Sequence, residues 1–286
     1  MNEASRWPAP AKLNLFLRLV GRRADGYHLL QTVFQLLDWG DEIGLRVLDD
    51  GAIVRAGAVP GVAVEGDLCV RAAWALKRRT GCPLGVEIAL EKRVPIGGGL
   101  GGGSSDAATV LVALNALWKT SLAIDELAAL GATLGADVPV FVRGHTAWAE
   151  GVGELLTPVD LPERDYVIVD PGVAVSTALL FQAPELTRNS APLTISGYLS
   201  ASGAGAQNAF EPVARARYPQ IGAALDWLGQ FGAARLTGSG GCVFAEMQSA
   251  GDAAQAVAKC PAPMVAWRAR GVRQSPLLDA VRRFGG

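Results

Sequence analysis

The feature that most constrains this chain is a stretch from Gly97 to Gly103 in which six of seven residues are glycine. Apolar side chains then recur at helical spacing over residues 106–118, so the glycines lead directly into a predicted helix. Closely spaced glycines let backbone N–H groups surround an anion, and the helix dipole adds a positive end. The stretch therefore predicts a polyphosphate-binding loop, with Ser104 or Ser105 as the N-cap of the helix.

Two common nucleotide-binding motifs fit this loop poorly. Residues 97–104 have the spacing of a Walker A motif, but Gly103 stands where that motif requires lysine. The glycines also satisfy the dinucleotide-binding pattern, in which an acidic residue ends a strand about 20 positions later. Asp125 and Glu126 instead open a predicted helix. The loop therefore indicates phosphate binding in a fold that is neither of these two.

A polar pair interrupts an otherwise apolar strand near the N-terminus. Residues 11–19 alternate with a period of two, which places four leucines on one face and Lys12 and Asn14 on the other. A lysine that faces a cavity needs a partner or loses its proton, whereas a lysine near the surface extends its ammonium into water. The pair predicts either a polar site or a lysine that reaches solvent.

Asp137 lies at a junction between two predicted elements. Helical spacing over residues 124–134 ends at Gly135, and the apolar residues 140–142 predict a strand after it. Aspartate is common at such junctions as a turn former. The residue by itself is compatible with that role and with a place in an active site.

The composition excludes several classes of protein. Lys and Arg total 26 against 27 for Asp and Glu, so no overall charge holds the chain on nucleic acid or an anionic membrane. Four scattered cysteines and two histidines argue against a zinc site, a disulfide framework and a Ser-His-Asp relay. The N-terminus resembles neither a secretion signal nor a transit peptide. We therefore expect a soluble cytoplasmic protein, and the sequence leaves its oligomeric state open.

The length of 286 residues suggests two domains. Pro158 and Pro162 lie where the sequence pattern changes. This change predicts an N-terminal domain over residues 1–160 and a C-terminal α+β domain over residues 161–286. A stretch rich in serine, glycine and alanine over residues 196–207 predicts a flexible loop.

Three segments, in order along the chain, resemble the superfamily of galactokinase, homoserine kinase, mevalonate kinase and phosphomevalonate kinase, the GHMP kinases. They are Pro10–Leu15, Pro95–Ser105 and Thr237–Gly240. Three further segments resemble the branch that acts on a cytidine diphosphate-linked polyol: Arg23–His28, Phe34–Gln35 and Leu134–Phe141. The likeness spans nearly the whole chain and implies a two-domain α+β fold with the active site in the cleft between domains.

The resemblance also implies roles for individual residues. Asp137 matches the family's catalytic aspartate and Lys12 its partner lysine. The expected ATP-binding residues form the glycine loop: Pro95, Ile96, Gly97, Gly98, Gly99, Leu100, Gly101, Gly102, Gly103, Ser104 and Ser105. The expected substrate-binding residues hold the cytosine, lie near it or belong to the C-terminal glycine turn: Asn14, Tyr27, His28, Phe34, Thr177, Phe181, Gly238, Ser239 and Gly240.

Two positions depart from the family pattern. Asp67 and Asp106 stand where asparagine is usual, near the adenine and after the two serines respectively. Both keep a polar side chain but add negative charge, which bears on adenine contacts and on metal binding. The reaction class implied by the resemblance is unaffected.

The resemblance implies a kinase that transfers the γ-phosphoryl group of ATP to a hydroxyl of a cytidine diphosphate-linked polyol, in the non-mevalonate route to isoprenoid precursors. Asp137 is the expected general base, assisted by Lys12. Mg²⁺ is expected as a cofactor because two phosphorylated ligands meet in one cleft, and the sequence assigns it no ligands. The alternatives are a homoserine- or mevalonate-type kinase and a catalytically silent nucleotide-binding module.

Overall fold

A long antiparallel hairpin organises the first half of the chain in the computed structural model, which describes residues 4–58, 62–201 and 207–285. Strands β1 (Ser5–Arg22) and β2 (His28–Leu48) pair along most of their length. Bulges interrupt the pairing between Pro10 and Lys12 and again between Asn14 and Leu17. A bulge bends its strand and changes the direction of nearby side chains, so the predicted polar pair lies on an irregular part of β1.

The remaining elements of the first half complete one sheet and cover it with helices. They are β3 (Ile53–Ala56), α1 (Leu68–Thr80), β4 (Gly85–Glu91), α2 (Gly102–Leu117), α3 (Ile124–Ala132), α4 (Val138–Arg143), β5 (Ala147–Glu150) and β6 (Leu155–Pro158). β2 pairs with β1, β4 and β5, and β3 lies parallel to β4. Helix α2 is buried for most of its length, so the glycine loop that precedes it is anchored in the core.

The second half adds four strands and six helices within the described ranges. They are β7 (Asp165–Asp170), α5 (Thr177–Gln182), α6 (Ile195–Ser200), α7 (Glu211–Arg217), α8 (Pro219–Leu228), β8 (Arg235–Leu236), β9 (Val243–Met247), α9 (Ala250–Ala258), β10 (Val265–Val272) and α10 (Pro276–Gly285). The strand order is β10-β7-β9-β8, and the end of β10 also pairs with β2. The sheet therefore runs through both halves of the chain.

Helix α10 returns to the first half. Leu277 is buried in the core formed by α1, α2 and the hairpin, and the ring of Phe284 lies 5.4 Å from that of Trp7. The division into residues 1–160 and 161–286 stays a prediction. Helix α10 belongs to the second range by sequence but packs on elements of the first range.

Three local predictions were wrong. The apolar residues 140–142 form helix α4 instead of a strand, since a short buried run has no periodicity to distinguish the two. Helix α2 begins at Gly102 with Gly101 as its N-cap, so Ser104 and Ser105 lie inside the first turns. Residues 195–200 form α6, capped by the Thr194 side chain, where a loop was expected. Residues 202–206 of that expected loop lie outside the described residues.

Other predictions from periodicity are confirmed. The alternating segment 11–19 lies within β1, and the apolar repeat after the glycines forms α2. Within the described ranges, no helix combines the length and the apolar character needed to cross a membrane.

Candidate active site

The glycine loop packs directly against a turn from the second half of the chain. Backbone N–H groups of Gly241 and Cys242 donate to the carbonyl oxygens of Gly97 and Gly98 at 3.2 and 3.1 Å. The approach is so close that a Cβ atom on Gly99 would lie 2.2 Å from the Thr237 carbonyl oxygen. Gly99 also has a φ of 78°, in the left-handed region that favours glycine. Glycine is therefore required at this position for two independent reasons.

The same loop forms one wall of a cavity of about 340 Å³. The lining comes from the glycine loop, the start of α1 and the end of β4: Val62, Gly66, Asp67, Leu68, Cys69, Leu90, Lys92, Pro95, Ile96, Gly97, Gly98, Gly101, Gly102, Gly103, Ser104 and Asp106. The first N–H groups of a helix have no partner within it. Because α2 starts at this cavity, an anion there meets unpaired donors and the positive end of the dipole.

A buried charge cluster lies at the base of this cavity. The Lys92 ammonium donates to Asp41 at 2.6 Å and to Asp106 at 2.9 Å. Burial raises the pKa of Asp106 to about 8; the attraction of Lys92 opposes this rise and the nearby Asp41 adds to it. The second Asp106 oxygen, Oδ1, has no hydrogen-bond partner among the described residues. No sequence pattern predicts this cluster, because its members are far apart in the chain.

Asp67, the other acidic departure from the family pattern, is paired and buried. Its Oδ2 accepts from Arg55 at 3.0 Å, and its Oδ1 accepts from the backbone N–H of Cys69 at 2.8 Å. It is thus the N-cap of α1. Arg55 compensates the added negative charge at the edge of the cavity.

Lys12 lies beside the glycine loop and is 2% exposed. Its ammonium donates to the carbonyl oxygen of Gly99 at 2.8 Å and to Asn14 Oδ1. Asp137 Oδ2 is 3.6 Å from the same nitrogen. Burial lowers the pKa of Lys12, and the charge of Asp137 partly opposes this shift. The structure therefore excludes the alternative of a lysine that reaches solvent.

Asp137 immediately precedes α4, and its side chain is about one third exposed. Asp137 and Lys12 come together because β1 and the start of α4 both approach the loop at Gly101. A Cβ atom on Gly101 would lie 3.1 Å from Lys12 Cε and 2.9 Å from the Phe141 ring. The carboxylate is thus open to the cleft while its partner lysine is enclosed.

Asn14 is 2% exposed, and its side chain bonds to neighbouring side chains. Its Oδ1 accepts from Lys12, and its Nδ2 donates to Thr32 at 2.9 Å. Its backbone N–H donates to Thr237 Oγ1 at 3.0 Å. The geometry therefore makes Asn14 a support for Lys12 and a link to the C-terminal glycine turn.

The aromatic residues predicted to bind substrate lie in two separate places. Tyr27 is 66% exposed at the end of the hairpin, and the ring of its neighbour His28 lies 5.0 Å from that of Phe181. Phe34 is 2% exposed, and its ring centroid lies 5.3 Å from the Lys12 ammonium. The structure thus brings His28 and Phe181 together beside Tyr27, whereas Phe34 packs beneath the catalytic candidates.

The C-terminal glycine turn is held from several sides. Thr177, at the start of α5, and Ser239 have hydroxyl oxygens 3.0 Å apart. Asn208 donates to the carbonyl oxygens of Leu236 and Gly238 at 2.9 and 2.8 Å. Sequence reasoning missed Asn208, since it lies about 30 positions from the turn with no motif of its own. The predicted residues of this turn therefore lie between α5 and the glycine loop.

Family models match both halves of the chain. The model for the N terminal domain of GHMP kinases matches residues 67–145, and the model for their C terminal domain matches residues 191–266. The first range contains the glycine loop and Asp137, and the second contains the C-terminal glycine turn. The matches define the class of the protein as a small-molecule kinase of the GHMP type.

Closer relatives narrow this class. A 4-diphosphocytidyl-2-C-methyl-D-erythritol kinase of Xanthomonas campestris pv. campestris strain B100 is 60% identical over 278 residues, which cover 97% of this chain and 94% of the relative. The enzyme of the same name from Aromatoleum aromaticum is 56% identical over 270 residues, or 94% of each chain. This chain belongs to the 4-diphosphocytidyl-2-C-methyl-D-erythritol kinase family of the GHMP kinases.

Solved structures agree with this placement. A crystal structure of a 4-(cytidine 5'-diphospho)-2C-methyl-D-erythritol kinase, 36% identical, covers 94% of this chain and 100% of its own with a TM-score of 0.83. A mevalonate kinase with 16% identity and a TM-score of 0.68 shares the fold. The predicted α+β fold and the prediction of a kinase are confirmed.

Proposed function

We propose that this protein transfers the γ-phosphoryl group of ATP to the 2-hydroxyl of 4-diphosphocytidyl-2-C-methyl-D-erythritol. The product would serve the non-mevalonate route to isoprenoid precursors. Membership of the kinase family supports the reaction class. The observation that carries the proposal is the Lys12–Asp137 pair, which lies beside the glycine loop and close to Gly101 at the start of α2.

Asp137 acts as the general base in this proposal. Its partly exposed carboxylate accepts the proton of the substrate hydroxyl as that oxygen attacks the γ-phosphorus, and the ADP oxygen leaves with the bonding electron pair. Lys12 lies 3.6 Å from the carboxylate and stabilises the negative charge that develops on the transferred group. The Gly99 carbonyl and Asn14 hold the ammonium in place.

ATP occupies the 340 Å³ cavity in this proposal, with its phosphates at the glycine loop and the start of α2. The residues expected from the sequence, Pro95 to Ser105, include eight that line the cavity and three others in the same loop. Asp67 and Arg55 lie at its edge, and Lys92 lies at its base.

Mg²⁺ is proposed as the ion that accompanies ATP and neutralises part of the phosphate charge. Asp106 Oδ1, which has no partner in the described ranges, offers one carboxylate oxygen beside the cavity. Within those ranges, no cluster of three or more His, Cys, Asp or Glu side chains could hold a metal alone. The phosphates and water would complete the ligand shell, as is common for Mg²⁺.

The cytidine end of the substrate lies near Tyr27, His28 and Phe181 in this proposal, because Tyr27 is exposed and the partly buried rings of His28 and Phe181 lie near each other. Thr177, Gly238, Ser239 and Gly240 lie between this cluster and the glycine loop. Phe34 and Asn14 lie next to Lys12 and are proposed to contact the substrate close to the reacting hydroxyl. The proposed domains are residues 1–160 on the ATP side and 161–286 on the substrate side, and the proposed location is the cytoplasm.

The test is single-turnover kinetics of Asp137→Asn. We expect the phosphoryl-transfer rate to fall by about 10²- to 10⁴-fold, the range for a positioned base, with little change in ATP affinity. Asp125→Asn is the matched control, since it removes an aspartate that pairs with Arg143 on the surface. An unchanged rate in Asp137→Asn would contradict the proposed role.

A further inference from the structure

Phe181 is held between two aromatic rings at the end of a short helix. Its ring lies 5.0 Å from His28 on one side and 4.8 Å from the buried Phe210 on the other. Helix α5 has six residues, too few to be stable without tertiary support. The position of Phe181 therefore depends on whatever fixes the end of α5.

Arg188 provides that support. Its Nη2 donates to the carbonyl oxygens of Phe181 and Ala183 at 2.8 and 2.7 Å, and its Nη1 donates to that of Leu186 at 3.0 Å. The last carbonyls of a helix lack partners within it, and a cation at this end also interacts favourably with the helix dipole. One planar guanidinium thus fixes the end of α5 and the turn after it.

We propose that Arg188 is a positioning residue for the cytidine end of the substrate, because it fixes the end of α5 and so holds Phe181 against His28. This inference rests on the proposed substrate site. Arg188 acts through Phe181 and is not assigned a contact with the reacting atoms. At its other end, α5 carries Thr177, whose hydroxyl meets Ser239, so the same helix joins the aromatic cluster to the glycine turn.

The charge of Arg188 has a second consequence at His28. Burial lowers the pKa of His28, and the positive charges of Arg188 and of Arg22, at the end of β1, lower it further. His28 Nε2 is buried and has no hydrogen-bond partner among the described residues. A neutral imidazole offers one acceptor nitrogen, so Arg188 favours the form of His28 that can accept a hydrogen bond from a ligand.

Steady-state kinetics of two variants test the inference. R188M removes both the charge and the fork of donors, whereas R188K keeps the charge but cannot reproduce the planar fork. For R188M we expect the KM of the cytidyl substrate to rise about tenfold, which corresponds to roughly 1.4 kcal/mol, with an unchanged KM for ATP. R188K should give a smaller rise in the same constant. R215M is the control, since Arg215 pairs with Asp226 on the surface.

Histidine NMR separates the charge from the hydrogen bonds. The chain has two histidines, so His145 is an internal reference for His28. The His28 pKa should rise towards its ordinary value in R188M and stay lowered in R188K. A merely structural role for Arg188 would not produce this pattern.

An unchanged KM for the cytidyl substrate in both variants would overturn the inference, as would an equal rise in both KM values. If R188M does not fold, R188K decides by the same criterion. Phe181→Ala distinguishes a failure of the proposed substrate site from a failure of the positioning role of Arg188. If it leaves the cytidyl KM unchanged, the proposed substrate site is wrong; if it raises that KM and the Arg188 variants do not, the positioning role alone is wrong.

Discussion

The two sides of the cleft are built in different ways. The proposed ATP side consists mainly of backbone from one continuous stretch, residues 95–106, and includes the start of α2. The proposed cytidine side consists of side chains from separate segments, with Tyr27 and His28 on the hairpin and Thr177 and Phe181 on α5. A phosphate site needs closely spaced donors, which one loop supplies, whereas a site for a flat base needs rings from several directions.

Lys12 contacts both the glycine loop and Asp137, so its removal should give the largest effect among the four variants that follow. In Lys12→Met, we expect kcat to fall by about 10²- to 10³-fold, as for loss of one preorganised charge-stabilising donor, with smaller changes in both KM values. Lys77→Met is the control, because Lys77 donates to three carbonyl oxygens that do not belong to the glycine loop. It should lower the melting temperature without changing kcat. Equal kcat losses in the two variants would contradict a role of Lys12 in phosphoryl transfer.

The backbone character of the ATP side can be tested at Gly99. In Gly99→Ala, the new Cβ atom meets the Thr237 carbonyl at 2.2 Å, so the loop must shift. We expect kcat/KM for ATP to fall about 10²-fold, since a displacement of about 1 Å can have that effect. Gly81→Ala places the same strain at a positive φ of 68° with no atom within 4 Å. It should lose stability but keep its kinetics, and a loss of ATP affinity there would contradict this reading.

The side-chain character of the cytidine side can be tested at Tyr27. In Tyr27→Ala, the KM of the cytidyl substrate should rise about fivefold, the low end for loss of base stacking because the ring is exposed. The KM for ATP should stay the same. Trp74→Ala removes another partly exposed aromatic residue, on α1, and should change neither constant. A rise in the ATP constant in Tyr27→Ala would mean that the two sides are not separate.

The smallest effect concerns Asp106 and is a change in pH dependence. Its pKa is raised from 3.8 to about 8 in the folded protein, so between those values the folded state binds more protons than the unfolded state. The free energy of unfolding therefore decreases as the pH rises through this window. Asp106→Asn should remove that contribution and flatten the profile of melting temperature against pH. A profile that stays as steep in the variant would show that Asp106 is ionised throughout.

The contrast between the two sides also explains what the sequence could predict. The glycine loop and α2 follow from adjacent residues, so their place was predicted correctly, apart from the N-cap. The N-cap is Gly101, which adopts a left-handed conformation with a φ of 73°. The expectation of a serine N-cap rested on side-chain preference and did not consider this backbone conformation.

Contacts between distant segments were predicted less well. Lys12 and Asp137 were connected through the family resemblance, since no local pattern joins residues 125 positions apart. Phe34 was expected beside the cytosine with the other aromatic residues. It lies apart from them, next to Lys12, and its contact with the substrate stays a prediction. The cluster of Asp41, Lys92 and Asp106 and the supporting roles of Asn208 and Arg188 depend on tertiary packing alone.

The most direct test of the account is to identify the product. Purified protein with ATP and Mg²⁺ is offered 4-diphosphocytidyl-2-C-methyl-D-erythritol, homoserine and mevalonate in parallel, while ADP release is followed and the new phosphate is located by phosphorus NMR. The account predicts turnover with the cytidyl substrate alone and a new phosphomonoester on its 2-hydroxyl. Turnover with another of the alcohols, or ATP binding without any turnover, would contradict it.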